Sequence, residues 1–253
     1  MADVTVTAEG PRGVAEGLRE DALPAARTLA TITLVGLVCG WLVAGVLSRL
    51  AMLLLVELNP VADGVTSDDG FIMGRFTLSG SLNLMFVVGT FLGLLGAAFY
   101  VALRGLRIGP PWFRLLSISI GGGVVVGAGL VHTDGVDFRL LEPVWLAVAL
   151  FVAVPATYVA LLSLVSERLL ARDRPLPTVL LVVGVGVWVV FIPMLPIMLA
   201  LVAGWLMLRL LRGTAAGARA LDSPVGPWVL RGWLAVVFAL AVVDIARDVA
   251  VLT

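Results

Sequence analysis

The apolar run over residues 31–58 constrains the fold of this chain more than any other stretch. Arg49 is its only charge before Glu57, close to its end. The run is long and apolar enough to cross a lipid bilayer as one helix. Because a charge at that depth is costly, we predict that Arg49 is a buried charge with a polar partner.

Small residues recur along this run at every fourth position, from Gly36 through Gly40 and Ala44 to Ser48. Residues at that spacing share one face of a helix, and small side chains let another helix approach closely within lipid. Two later runs repeat the pattern. The residues predicted to pack helices are Gly36, Gly40, Ala44, Gly89, Gly93, Gly123 and Gly127. We expect them to pack helices of the same chain, with contacts to another chain as the alternative.

The composition agrees with a protein surrounded by lipid. Hydrophobic residues make up 60% of the chain, charged residues 13%, and the mean hydropathy is +1.10. A water-soluble domain needs more charge to cover its surface. The zero net charge gives no reason to expect a nucleic-acid partner. The single cysteine, Cys39, excludes a disulfide within the chain, and the single histidine, His132, excludes bis-histidine haem ligation by one chain.

Five further apolar runs follow, at about residues 82–103, 112–131, 143–164, 176–211 and 228–243. As one helix, residues 176–211 would be about 54 Å long, against a hydrocarbon core of about 30 Å. Pro193 and Pro196 lie near its middle, so we expect two short spans with a tight turn there. The prediction is an all-α, polytopic transmembrane helix bundle with seven spans, or six as the alternative. Residues 1–26 are expected to be a cytoplasmic polar tail and 27–253 a single transmembrane domain.

Two expectations concern how these helices are arranged. The second and third spans are joined by a short loop, so we expect them to pack as an antiparallel hairpin. Pro155 lies inside the fourth span and is expected to kink it.

The arginines indicate an orientation, because basic residues accumulate in cytoplasmic loops. With the amino terminus inside, three loops on that side hold most of them: Arg104, Arg107, Arg114, Arg168, Arg172, Arg174, Arg209, Arg212 and Arg219. The carboxyl terminus is then extracytoplasmic. The chain contains no lysine, which suggests a GC-rich bacterial genome and therefore the bacterial plasma membrane.

Two polar loops are expected on the outer side, at residues 59–83 and 132–143. The first is predicted to be structured, with a turn at residues 68–70. The predicted outer charged cluster is Asp68, Asp69, His132, Asp134, Asp137, Arg139, Glu142, Asp244 and Arg247. Three interpretations remain open: ion pairs that fasten the loops, a cation bound by the carboxylates, or a translocating or catalytic carboxylate whose pKa is depressed by Arg49. No cofactor is predicted, and no ligand spacing is diagnostic of a metal.

The chain lacks the motifs of common enzymes, such as a Walker loop, HExxH or a serine elbow. We expect a non-enzymatic small transporter, channel-like protein or accessory subunit. Its contacts would be membrane lipid and either a second copy or a partner membrane subunit. The alternative is a membrane-embedded enzyme that acts on a lipid or lipid-linked substrate at the outer interface, with His132 or a carboxylate as general base.

Geometry distinguishes these functions. An enzyme needs a cleft that opens sideways to lipid, and a subunit needs an exposed helix face of small residues. A transporter needs a polar path to the inner side. The few polar residues noted in the inner half disfavour a transporter: Ser117, Ser119, Thr157 and Arg231.

Overall fold

The computed structural model describes residues 11–252, apart from 68–69, 71, 76–77, 134, 136 and 173–175. These described residues are mainly helical, and their β-structure is one isolated antiparallel bridge between Thr66 and Ile72. The all-α prediction is therefore confirmed.

Nine helices are numbered here in chain order. Helix α1 joins the segments Pro11–Cys39, Gly40–Leu47 and Ser48–Leu58, and α2 joins Leu78–Leu82, Asn83–Val88 and Gly89–Leu103. The others are α3 (Pro111–Leu130), α4 (Asp137–Leu140), α5 (Val144–Leu170), α6 (Thr178–Val190), α7 (Leu195–Arg212), α8 (Ala215–Asp222) and α9 (Val225–Leu252). The middle segments of α1 and α2 are π-helical and face each other.

Six of the helices formed by described residues are long and apolar enough to cross a membrane. The remaining apolar helix, α6, has 13 residues, or about 20 Å at the rise of an α-helix. That is shorter than the hydrocarbon core of about 30 Å. Six helices therefore meet the length criterion, which is the number of spans predicted as the alternative to seven.

Residues 176–211 are divided into two helices at the prolines where a turn was predicted. Helix α6 ends at Val190, a single 3-10 turn follows, and Pro196 lies in the first turn of α7, where a missing N–H costs no hydrogen bond. The Trp188 indole donates to Thr33 of α1 at 2.9 Å. At the other end of α7, Arg209 pairs with Asp21 at 2.5 Å. The two helices therefore form a hairpin whose turn lies beside the middle of α1 and whose second helix ends beside the start of α1.

Helix α1 lies at the centre of the bundle and contacts α2, α5 and α6. Its Gly36 and Gly40 face Gly93 and Gly89 of α2, so the two helices run antiparallel with their backbones close together. A Cβ added to Gly36 would lie 2.6 Å from the Gly93 carbonyl oxygen, which leaves room there only for glycine.

The predicted hairpin of the second and third spans is wrong. Helix α3 packs mainly on α5 and also on α9, whereas α2 packs on α1. The small residues decide this arrangement, because Gly123 and Gly127 of α3 fit against Val152 and Ala156 of α5. The glycine face of α2 is already covered by α1.

The bundle has two different ends. At the loop end, the described residues of 59–75 and 131–143 surround an apolar cluster that includes Met73, Phe138 and Leu141. The arginine end comprises residues 104–110, the end of α5 and the start of α9, where Arg231 Nε donates to the Leu106 carbonyl at 2.9 Å. Because Leu252 packs on the loop-end cluster, α9 runs from the arginine end to the loop end.

The first loop was predicted to be structured over residues 59–83; its described part is structured, and α2 already begins at Leu78. Gly64 N–H donates to the Met73 carbonyl at 3.0 Å, and Met73 N–H donates to that of Val65 at 2.9 Å. Gly70, with φ +79°, donates to the Ser67 carbonyl at 2.9 Å, which closes the turn. Met73 is thereby almost fully buried beneath the loop.

Candidate functional site

Arg49 lies towards the loop end of α1 and is 8% exposed, so it is buried as predicted. It lines a small crevice together with Met52, Leu53, Gly74 and Arg75. Gly74 has a positive φ of 71°, which lets the loop turn closely beside Asp63. Arg49 and Arg75, which lie on a helix and on a loop, therefore border the same crevice.

Several predicted acidic residues lie outside the described residues: Asp68, Asp69 and Asp134. Asp137 is the first residue of α4, but its side chain is likewise outside the description. A cation site formed by these carboxylates therefore stays a prediction. Among the described residues, no group of His, Cys, Asp and Glu side chains is arranged to hold a metal ion.

The described members of the outer charged cluster divide between two places. His132, Arg139 and Glu142 lie on the loop of residues 131–143, and Asp244 and Arg247 lie on α9. All five are exposed. The ion pairs found between described residues are at the arginine end and beside the start of α1, not within this cluster.

The side-chain amide of Asn59 joins the described parts of the two loops. The Asn59 side chain donates to the Glu142 carbonyl at 2.8 Å, and its Oδ1 accepts from the Glu142 N–H at 2.9 Å. His132 Nδ1 lies 2.9 Å from the Leu130 carbonyl, and its ring meets Phe138 edge to face. Sequence reasoning missed Asn59, although its position between a helix end and Pro60 is typical of a capping residue.

A crevice of ≈ 280 Å³ opens at the loop end between the second loop and the end of α9. Its lining residues are Thr133, Phe138, Arg139, Glu142, Val144, Val251 and Leu252. One cation and one anion thus border this crevice together with apolar side chains. His132, the residue predicted as a general base, is not among the lining residues.

Glu167, at the arginine end, has three polar contacts with other side chains among the described residues. Glu167 Oε1 accepts hydrogen bonds from Arg107 Nη2 at 2.8 Å and from the Tyr100 hydroxyl at 2.9 Å, and Arg104 Nη2 lies 3.3 Å away. Ser163 Oγ accepts from Arg107 Nη1 at 3.2 Å. The Arg107 guanidinium also lies 5.2 Å from the centre of the Tyr100 ring. These residues form the Glu167 network, which ties the end of α2 to α5.

Helical spacing explains how the Glu167 network forms. Ser163 and Glu167 are four residues apart on α5 and therefore share one face. Arg104 begins the 3-10 turn that ends α2, and Arg107 follows it directly. The network was not predicted, yet the sequence contains a signal for it: Glu167 is an acidic residue in the last turn of an apolar span beside an arginine-rich loop.

Helix α9 carries a face, made mostly of small residues, that the described part of the bundle does not cover. The exposed residues on this face are Trp228, Gly232, Ala235, Ala239, Val242, Ala246 and Ala250. Their spacing of three and four residues places them on one side of the helix. The one buried residue of α9, Ala241, points towards the opposite side. We call these seven residues the α9 face.

The six long apolar helices and the buried Arg49 define the class of this chain: it is a multi-pass integral membrane protein. No protein-family model matches the chain, and no curated protein or solved structure is significantly similar to it.

Proposed function

We propose that this protein is a non-enzymatic accessory subunit of the bacterial plasma membrane. It would associate, through the α9 face, with a transmembrane helix of another protein. The observation that carries the proposal is the α9 face itself, because small residues along one side of a helix permit the close backbone approach that holds membrane helices together.

The use of small residues elsewhere in the chain supports this interpretation. Gly36 and Gly40 are covered by α2, and Gly123 and Gly127 are covered by α5. By contrast, a Cβ at Gly232 would meet no atom within 4 Å, as is also the case at Gly186 and Gly204. What distinguishes the α9 face is the run of small residues along it, which another helix could cover.

The distribution of arginines supports a cytoplasmic arginine end. Arg104, Arg107, Arg114 and Arg168 lie on or beside the connections at that end, whereas Arg139 lies at the loop end. By the positive-inside rule, the loop end would be extracytoplasmic. The amino-terminal start of α1 would then be cytoplasmic. Helix α6 runs parallel to α1 and α7 returns to the start of α1, so together they bring the chain back to the arginine end, and the end of α9 would face outwards.

Site-specific photo-crosslinking in native membranes tests the proposal. A photoreactive amino acid at Ala239 should give an adduct whose mass exceeds that of the chain by the mass of a different protein. The matched control is the same residue at Leu199 of α7, which is 59% exposed but lies off the α9 face.

Two results would count against an accessory role. An adduct at twice the mass of the chain would identify a homo-oligomer instead. Equal adduct patterns at Ala239 and Leu199 would show that the α9 face only meets lipid and passing proteins.

The loop-end crevice favours a second candidate function, an enzyme acting on a lipid or lipid-linked substrate. Its apolar walls suit acyl chains, and Glu142 would be the general base in place of His132. If so, purified protein should convert a component of the membrane lipid extract, and Glu142→Gln should abolish that conversion without lowering the yield of folded protein.

A further inference from the structure

The loop-end crevice combines charge and apolar surface in a way that points to a ligand. Arg139 and Glu142 both line it, yet no ion pair joins them among the described residues. The Arg139 Nε donates to the Thr133 carbonyl at 3.2 Å, which leaves the two terminal nitrogens for other partners. Glu142 uses its backbone groups for Asn59, so its carboxylate is not needed to hold the loop.

An exposed tryptophan beside the crevice indicates its depth in the membrane. Trp145, which directly follows the lining residue Val144, is 65% exposed in the first turn of α5. Exposed tryptophans at the ends of transmembrane helices lie among lipid headgroups. Val251 and Leu252, which also line the crevice, lie at the end of α9. A ligand in the crevice therefore has its polar part beside Arg139 and Glu142 and its apolar part along α9.

We propose that the crevice binds the headgroup of a zwitterionic phospholipid that carries a primary ammonium, such as phosphatidylethanolamine. Its phosphate accepts hydrogen bonds from Arg139, whose planar guanidinium suits phosphate oxygens. Its ammonium donates to the Glu142 carboxylate, and its acyl chains lie along Val251 and Leu252. Because the crevice presents one cation and one anion that are not paired with each other among the described residues, a zwitterion suits it better than a simple anion.

The size of the crevice fits this headgroup. Phosphoethanolamine has about eight non-hydrogen atoms, and a crevice that admits several water-sized groups has room for them. The crevice offers ≈ 280 Å³ and opens to its surroundings, which leaves an exit for the acyl chains.

The test is native mass spectrometry of the full-length protein released from vesicles of equimolar phosphatidylethanolamine and phosphatidylglycerol. Both lipids have a phosphate, but only the first has an ammonium. We expect the wild-type protein to retain phosphatidylethanolamine in preference to phosphatidylglycerol by about tenfold, as one charge-assisted hydrogen bond allows. Glu142→Gln should reduce this preference to about twofold or less, because the remaining contact, to phosphate, is common to both lipids.

Three variants complete the design. Arg139→Gln should lower the retention of both lipids, since it removes the phosphate contact. Glu57→Gln and Arg247→Gln change exposed charges that do not line the crevice, so both should behave as the wild type. The proposal is overturned if the wild-type protein retains the two lipids equally, or if Glu142→Gln keeps the full preference while its unfolding temperature is unchanged.

Discussion

Helices α1 and α9 are almost equally apolar but lie in opposite surroundings. The most apolar stretch of α1 has a mean hydropathy of 2.2 and is 67% buried within the bundle, whereas that of α9 has 2.1 and is 6% buried. Both helices carry small residues at regular spacing. Those of α1 are in contact with another helix of the chain, and those of α9 are not.

The difference shows what hydropathy does and does not decide in a membrane protein. Apolar side chains favour lipid and a protein interior about equally, so hydropathy places a helix in the membrane but not at the centre of a bundle. Close packing and polar contacts decide which helix lies at the centre of the bundle. Helix α1 has glycine contacts with α2 and a buried hydrogen bond with α6, and both should be sensitive to substitution.

The largest effect is expected at the contact between α1 and α2. In Gly40→Ala, the added Cβ would overlap the Gly89 carbonyl oxygen, a backbone atom that cannot rotate away. We expect a loss of stability of about 3 kcal/mol, at the upper end of the range for overpacking. Unfolding of the purified protein in detergent, followed by circular dichroism, measures it. Gly232→Ala on α9 is the matched control and should unfold as the wild type; equal losses would contradict the comparison.

A smaller effect is expected from a substitution of Trp188, for which Trp233 is the matched control. Trp188→Phe removes the donor to Thr33, and both of these residues are fully buried. An unsatisfied hydroxyl in such a place costs about 1–3 kcal/mol. Trp233 is 63% exposed on α9, so Trp233→Phe should leave the unfolding temperature unchanged. A result in which Trp233→Phe is the more damaging change would place α9, rather than α1, inside a packed core.

The smallest of the three effects is expected at the Glu167 network. Glu167→Gln takes the negative charge away from Arg104 and Arg107 while keeping the shape of the side chain. The Glu167 side chain is 38% exposed, so we expect a loss of only about 1–2 kcal/mol. Asp244→Asn, an exposed carboxylate of α9, should give no measurable change. If 1 M salt in the buffer leaves the difference between wild type and Glu167→Gln unaltered, the network is not electrostatic in origin.

Much of the fold could be predicted because local rules decide it. Apolar runs of sufficient length predicted the spanning helices, and the prolines near residue 193 predicted the division of residues 176–211. The arginine at position 49 was expected to be buried, since it lies far from either end of an apolar run. Each of these inferences depends on residues near one another in the sequence.

The candidate sites were harder to predict because they join distant residues. Nothing in the sequence pairs Asn59 with Glu142, or Tyr100 with Glu167, across more than sixty positions. The expected pairing of the second and third spans failed for a related reason. A short connection brings two helices near each other, but the shapes of their surfaces decide whether they remain in contact.

The sequence by itself determined that the chain is helical and spans a membrane, because length and hydropathy act on each segment separately. Only the tertiary structure decided that α1 is central and α9 peripheral, and that Arg139 and Glu142 border one crevice. The physical reason is that lipid gives all apolar helices nearly the same environment. Their order in the bundle therefore depends on the fit of surfaces that meet only after the chain has folded.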